Sequence, residues 1–251
     1  MMGEKNNRLV LLEAVENTAT VVLNNPPANV LTQDLIEQLS QAFRELEHLP
    51  VSAVIITGQG THSFSTGANI NELLDNELEQ NRMYFSNIYE TFNLIANCRY
   101  PVIAAVNGYA YGAGLELALC ADIRVIDQNA HLAATGVNLN LVFCTQRLAR
   151  LAGPGRAKDM LFRARELDAA EALEFGLAEH ISPPGTAYEK AKEIALRISR
   201  KGQAAVQSIK QALNQGLDLP LNQALDLEAE SIYKMFATND FKRRARLFLT
   251  R

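Results

Sequence analysis

Two short segments carry residue types that favour chemistry at the main chain. Phe64-Ser65-Thr66-Gly67-Ala68-Asn69-Ile70 follows an apolar run, Val51 to Thr57. Asn107-Gly108-Tyr109-Ala110-Tyr111-Gly112-Ala113-Gly114-Leu115-Glu116-Leu117-Ala118 follows another, Pro101 to Val106. Small residues in both places let backbone approach a ligand closely. The second segment also opens a helix, so its free N–H groups and the positive end of the helix dipole point at whatever binds there. Two N–H groups from separate loops that converge on one carbonyl oxygen form an oxyanion hole. They stabilise charge that appears only in the transition state, and losing one such donor typically costs ~3–4 kcal/mol. Glu116 adds a titratable group. A carboxylate inside Leu115-Glu116-Leu117-Ala118-Leu119 needs a partner or a task, because acidic side chains are seldom buried without one. Acid–base work is one task; a structural hydrogen bond to loop backbone is the other reading.

The elements that must position these residues follow from periodicity and punctuation. Leu9 to Glu16 and Ala19 to Asn24 predict two strands around a turn at Asn17, the second ending in Asn24-Asn25-Pro26-Pro27. Thr32 is an N-cap for a helix over Gln33 to Leu49, whose apolar residues Leu35, Ile36, Leu39, Phe43 and Leu46 recur at helical spacing. Val51 to Thr57 predicts a buried strand, Leu78 to Ala96 a helix, Pro101 to Asn107 a strand, Leu115 to Cys120 a buried helix and Ile123 to Ile126 a strand. Gly108 to Gly114 is taken as a glycine-rich connection. Beyond Gln146 the pattern turns helical, over Ala157 to Ala164, Ala169 to Phe175 and Ala187 to Arg200, with a short strand at Leu177 to Ile181. Pro183-Pro184-Gly185 marks a boundary, so residues 1–184 form the core and 185–251 a helical region that includes Leu221 to Phe236 and Asp240 to Leu249. This is an α/β pattern in which strand–loop–helix units succeed one another.

Composition narrows the function classes. The 251 residues are 48% hydrophobic, enough for a large core. No apolar run approaches the ~20 residues of a membrane span, and Met1 to Arg8 is polar rather than a secretory signal, which points to a cytoplasmic protein. Cys98, Cys120 and Cys144 lie far apart without paired spacing, which argues against a disulfide framework or a zinc site. No metal is expected. A net charge of −4 gives no general attraction for nucleic acid. The basic cluster Lys242, Arg243, Arg244, Arg246 and Arg251 is the local exception.

Taken together, the two loops resemble those of the crotonase (enoyl-CoA hydratase/isomerase) superfamily. The resemblance begins at Leu23-Asn24-Asn25-Pro26-Pro27-Ala28-Asn29-Val30-Leu31 and passes through Val54-Ile55-Ile56-Thr57-Gly58 and Pro101 to Asp122. It continues to Thr145-Gln146-Arg147-Leu148 and Ala169 to Leu177, covering about residues 8 to 249. It implies a crotonase-like spiral of ββα units followed by a helical C-terminal trimerisation region, in a homotrimer or hexamer. It implies an acyl-CoA thioester as substrate, no separate cofactor, no membrane and no nucleic acid. By the same resemblance the oxyanion donors are Ala68 and Ala113, and Glu116 is one of two catalytic glutamates. Pro27 and Ala28 would cover the pantetheine arm. Thr66, Ala68, Asn69, Ile70 and Gly112 would line the CoA site, with ordinary core packing the competing reading for Ile70.

The chain departs from that pattern at one place. Aligning Val137-Asn138-Leu139 on the family's V-x-L puts Gly136 where the second glutamate belongs, and the following glycine-rich segment is shortened to Phe143-Cys144. Among the residues between Asp127 and Arg147 there is no Asp or Glu. Three readings remain open. Glu116 works alone with water, or another group such as Glu72, Asp75, Glu77, Tyr84 or His131 is recruited. Alternatively, the reaction needs only enolate stabilisation, as in decarboxylation. A protein that binds acyl-CoA without turnover is the alternative outside enzymology.

Overall fold

The computed structural model describes residues 8–250. The chain begins with strands β1 (Val10–Val15) and β2 (Thr18–Leu23), then α1 (Gln33–Leu46) and β3 (Ala53–Gly58). Every residue of β3 is buried, as a strand covered on both faces must be. Helix α1 starts where Thr32 caps it, its hydroxyl accepting from Leu35 N at 3.1 Å. It buries Leu35, Ile36, Leu39, Phe43 and Leu46 along one face.

Three similar turns of chain then follow. The first holds β3, β4 (Ser63–Ser65), α2 (Ile70–Asp75) and α3 (Leu78–Ala96). The second holds β5 (Val102–Val106), β6 (Tyr109–Tyr111) and α4 (Ala113–Leu119). The third holds β7 (Ile123–Asp127), β8 (His131–Ala133), a 3₁₀ turn at Thr135–Leu139, α5 (Thr145–Ala152) and α6 (Pro154–Arg163). Strand β9 (Glu166–Leu167), α7 (Ala169–Glu174) and β10 (His180–Ser182) complete the strand-bearing part. Helices α8 (Ala187–Ser199), α9 (Gln203–Gly216), α10 (Leu221–Phe236) and α11 (Asn239–Leu249) follow.

Each turn contributes one strand to each of two sheets. The first has the order β1-β2-β3-β5-β7-β10, and the second β4-β6-β8-β9. Apart from the antiparallel β1–β2 and β8–β9 pairs, neighbours run parallel. This is the expected spiral of ββα turns with a helical C-terminal region. The second-sheet strands were not anticipated from the sequence: β6 lies inside the segment taken as a glycine-rich connection. Three residues are too few to display an alternating pattern.

Alternation along the first sheet divides its side chains between two cores. Val54, Ile56, Ala104 and Val106 join the main core with the apolar faces of α1, α3 and α4. Ala53, Ile55, Ile103, Ala105 and Val125 face the other way and are covered by Ala187, Ala191 and Ala195 of α8. The expected boundary at residue 184 falls between β10 and α8, and α8 packs on the sheet itself. Helix α9 is tied back by Lys210, whose ammonium donates to Asp122 Oδ2 at 2.7 Å and to Tyr100 O at 3.0 Å. No helix among the described residues is long and apolar enough to cross a membrane.

The buried Lys210–Asp122 pair makes a stability prediction. Lys210→Ala leaves a largely buried carboxylate without its cation and should lower unfolding stability by about 3 kcal/mol. The exposed Lys192→Ala should stay within about 0.5 kcal/mol of the parent. Urea unfolding followed by circular dichroism compares the two.

Candidate active site

The two glycine loops meet. Gly67 adopts φ +98°, and a Cβ there would lie 2.7 Å from Tyr111 O and 3.0 Å from Ala113 N. A side chain at Gly114 would lie 2.0 Å from Ser65 O. Only glycines at these two positions allow β4 and the start of α4 to approach so closely. The N-terminal segment is sewn to the same place. Thr66 N donates to Ala28 O at 3.0 Å, Leu31 N donates to Gly67 O at 2.8 Å, and Leu31 forms an isolated parallel bridge with Ala68. Asn29, buried at a positive φ of 47°, locks the turn by donating to Ser63 O at 2.8 Å and accepting from Asn25 N at 3.1 Å.

These contacts decide which N–H groups are spent. Gly112 N donates to Ala133 O at 2.9 Å. Ala113 is the first residue of α4, where the N–H has no intrahelical acceptor. Its helical backbone suits alanine, so a Cβ at this place introduces no strain. In the Leu31–Ala68 bridge the Gly67 carbonyl makes the hydrogen bond, while the next N–H to be held is that of Asn69, by the Tyr84 hydroxyl at 3.2 Å. Tyr84 also donates to Leu31 O at 2.5 Å, and burial pushes its hydroxyl up to about 12.

The structure places the remaining sequence candidates as follows. Pro27 is exposed and Ala28 half-buried beside Thr66. The Asn69 side chain caps α2 by accepting from Asn71 N at 3.2 Å. Ile70 is 38% exposed, which removes core packing as its explanation. Of the alternative titratable groups, several are engaged elsewhere. Glu72 accepts from Gln33 N at 3.0 Å, Glu77 caps α3, and His131 Nδ1 lies 3.0 Å from Glu166 Oε1.

Glu116 lies one turn beyond Ala113 and is 3% exposed. Its Oε1 accepts from Arg147 Nη1 at 2.8 Å, and the other end of that guanidinium donates to Asn93 Oδ1 at 2.6 Å. Its Oε2 is buried with no hydrogen-bond partner. Arg147 comes from α5, Asn93 from α3 and Glu116 from α4, so three elements fix one carboxylate. The Tyr89 hydroxyl is pushed up by burial and then by the Glu116 charge, and the Tyr89 ring lies 5.6 Å from that of Phe143, itself 5.7 Å from Phe85. Sequence reading assigned no role to Arg147, Asn93 or Tyr89. One signal was available: a buried carboxylate calls for a cation, and Arg147 is the only Lys or Arg between Arg124 and Arg150.

Gly136 lies in the 3₁₀ turn, and a Cβ there would sit 3.0 Å from Leu141 O. A separate cavity of about 750 Å³ opens at the carboxyl ends of β3, β5 and β7, lined by Gln59, His62, Asn107, Tyr109, Asp127 and Tyr188 among others. It includes none of Ala68, Ala113 and Glu116. Among the described residues no cluster of three His, Cys, Asp or Glu side chains could hold a metal ion.

The ion pair predicts its own energetics. Arg147→Met should destabilise the fold by about 3–5 kcal/mol, because it strands a buried charge. Adding Glu116→Gln should recover part of that loss, and a double-mutant cycle by urea unfolding measures the coupling.

The comparisons with known proteins agree with this architecture. Residues 13–251 match the family model described as enoyl-CoA hydratase/isomerase. A short-chain-enoyl-CoA hydratase of Clostridium acetobutylicum is 36% identical over 244 residues, covering 95% of this chain and 93% of the relative. A crotonyl-CoA hydratase of Syntrophomonas wolfei is 37% identical over 245 residues, covering 96% and 94%. The crystal structure of an enoyl-CoA hydratase from Bacillus anthracis superimposes with a TM-score of 0.94 at 32% identity, covering 97% of this chain and 96% of that one. With a family model matched over residues 13–251 and relatives at 36–37% identity along nearly the whole chain, this chain belongs to the enoyl-CoA hydratase/isomerase family.

Proposed function

We propose that the protein acts on short-chain 2-enoyl-CoA thioesters, holding the thioester oxygen between the N–H groups of Ala68 and Ala113 and using Glu116 as its acid–base group. The observation that carries this reading is the Glu116 carboxylate, held by Arg147 one turn beyond Ala113 with Oε2 unengaged. A thioester carbonyl drawn toward two N–H donors accumulates charge as the enolate forms. A carboxylate close to the same helix start can take the proton of an adding water or of Cα. The names of the two curated relatives support a short acyl chain.

In this reading Pro27, Ala28, Thr66, Asn69, Ile70 and Gly112 border the CoA moiety, which is substrate rather than cofactor, and the chemistry requires no metal or redox group. The protein works in the cytoplasm. Crotonyl-CoA hydration tests it. Glu116→Gln should lower kcat/KM by about 10²–10⁴-fold while acyl-CoA binding persists. Equal rates from the two proteins would remove Glu116 from the reaction.

A second reading rests on Gly136, which stands where the resemblance expects a glutamate. Decarboxylation of a malonyl-type thioester, or another lyase step needing only enolate stabilisation, would not require that residue. Neither would acyl-CoA binding without turnover. A panel of malonyl-type and enoyl thioesters separates these outcomes.

The helical region is proposed to build a homotrimer or a hexamer. Leu213 on α9, Leu217 just beyond it, Leu225 on α10 and Phe248 on α11 are all more than half exposed in the single chain, apolar surface that supports burial against further copies. No nucleic-acid role is proposed: Arg243 and Arg244 pair with Asp240 at 2.5 and 2.7 Å. Light scattering after gel filtration should give three or six times the 27.7 kDa chain mass, and Leu217→Glu should shift the population toward smaller species. A monomer at micromolar concentration would refute the assembly.

A further inference from the structure

We propose that Tyr84 is a positioning residue for the Ala68 N–H, its hydroxyl serving as one rung of the bridge that fixes the first glycine loop. This deepens the oxyanion reading above and rests on it. The bridge pairs Leu31 with Ala68 in parallel. Such a bridge is held by two slanted hydrogen bonds that run from one residue to the chain neighbours of the other. Here Leu31 is the residue that makes both. Its N–H donates to Gly67 O at 2.8 Å. On the other side the Tyr84 hydroxyl stands between the two backbone groups, accepting from Asn69 N at 3.2 Å and donating to Leu31 O at 2.5 Å.

This arrangement decides where the Ala68 N–H points. Gly67 O and Ala68 N–H lie on opposite sides of one trans peptide, so the bond from Leu31 aims that N–H away from Leu31. Tyr84 holds the next peptide through Asn69 N, and it holds Leu31 through its carbonyl. The hydroxyl therefore steadies the donor from both sides. Hydrogen bonds weaken steeply when donor and acceptor fall out of line. A loosened Ala68 N–H would lose most where the oxyanion charge is greatest, in the transition state.

The hydroxyl is itself firmly placed. Tyr84 is 1% exposed, and its ring meets that of Phe85 edge-on at 5.5 Å. It projects from α3, which is anchored in the main core by Ile88, Phe92 and Ile95. Burial keeps the hydroxyl protonated, so it can donate to Leu31 O. The same helix holds Arg147 through Asn93, and so braces both the donor and the Glu116 carboxylate. Tyr100 offers a matched comparison. It is 2% exposed, and its hydroxyl donates to a loop carbonyl, Leu49 O, at 2.6 Å. It precedes β5, however, at the end opposite the second glycine loop.

The test uses the full chain as wild type, Tyr84→Phe and Tyr100→Phe. Phenylalanine keeps each ring and removes only the hydroxyl. Acetoacetyl-CoA is the probe, because its enolate absorbs more strongly in the near ultraviolet than its keto form. The enolate-to-keto ratio of the bound probe reads the oxyanion donors without turnover. Crotonyl-CoA hydration gives kcat and KM, butyryl-CoA gives ground-state affinity, and urea unfolding gives stability. Tyr84→Phe should lower the bound enolate ratio and kcat by about tenfold, less than the roughly 10²–10³-fold cost of losing a donor outright. KM and butyryl-CoA affinity should stay within about threefold, since the lost interaction belongs to the charged state. Tyr100→Phe should lose stability and keep both the ratio and kcat. An unchanged enolate ratio in Tyr84→Phe would overturn the proposal. An equal loss in Tyr100→Phe would also overturn it, because general stability would then account for the effect. A matching fall in butyryl-CoA affinity sinks it in favour of a collapsed pocket. A wild type that enriches the enolate without hydrating crotonyl-CoA sinks only the hydratase reading, and a lower ratio in Tyr84→Phe then still supports the positioning role. A wild type that binds acetoacetyl-CoA without enriching its enolate sinks the oxyanion reading and the proposal with it.

Discussion

Everything in the site depends on a steric fact, the contact between the start of α4 and strand β4. Gly114 has no room for a single carbon, since its Cβ would fall 2.0 Å from Ser65 O. Gly67 repeats the constraint from the opposite loop, against Tyr111 O and Ala113 N. Because backbone touches backbone there, the free end of the helix and the bend after β4 are held at a fixed separation. Parallel pairing of β4 with β6 sets that distance from below. The main core, with Leu115 and Leu117 of α4 fully buried, holds it from above. A charge-stabilising site is effective when its dipoles need no reorganisation, and close packing is what removes the freedom to reorganise.

The buried Glu116–Arg147 pair belongs to a different order of interaction. Taking the Glu116 carboxylate away from water, against a half-buried Arg147, is expensive, and an apolar pair would fill the same space at less cost. The arrangement keeps α3, α4 and α5 in register through Asn93, Glu116 and Arg147, and it leaves one carboxylate oxygen without a partner. A purely structural ion pair would be expected to engage both oxygens.

Much of the fold was legible in the sequence because its main strands are long apolar runs and its helices are amphipathic. Val51 to Thr57 and Pro101 to Asn107 could hardly be anything but buried strands. The second sheet was invisible, since β4, β6 and β8 have three residues each and β9 two. Their pairing is imposed by the turns of the spiral, not by local preference. The glycine loops and Glu116 were legible because their residue types are unusual in their surroundings. Arg147 was not, because an arginine in a helix looks ordinary until the fold brings it to Glu116. Ile70 shows the opposite failure: an apolar residue that looks like core opens α2 at the surface.

The 3₁₀ turn that carries Gly136 is closed by main chain. Leu141 N donates to Gly136 O at 3.0 Å, and a Cβ at 136 would sit 3.0 Å from Leu141 O, tighter than ordinary contact. A larger residue there would have to push Leu141 back and loosen the hydrogen bond that closes the turn. The turn therefore works as a latch with the tolerance of a single carbon: what position 136 can carry and how tightly the chain doubles back before α5 are one mechanical property.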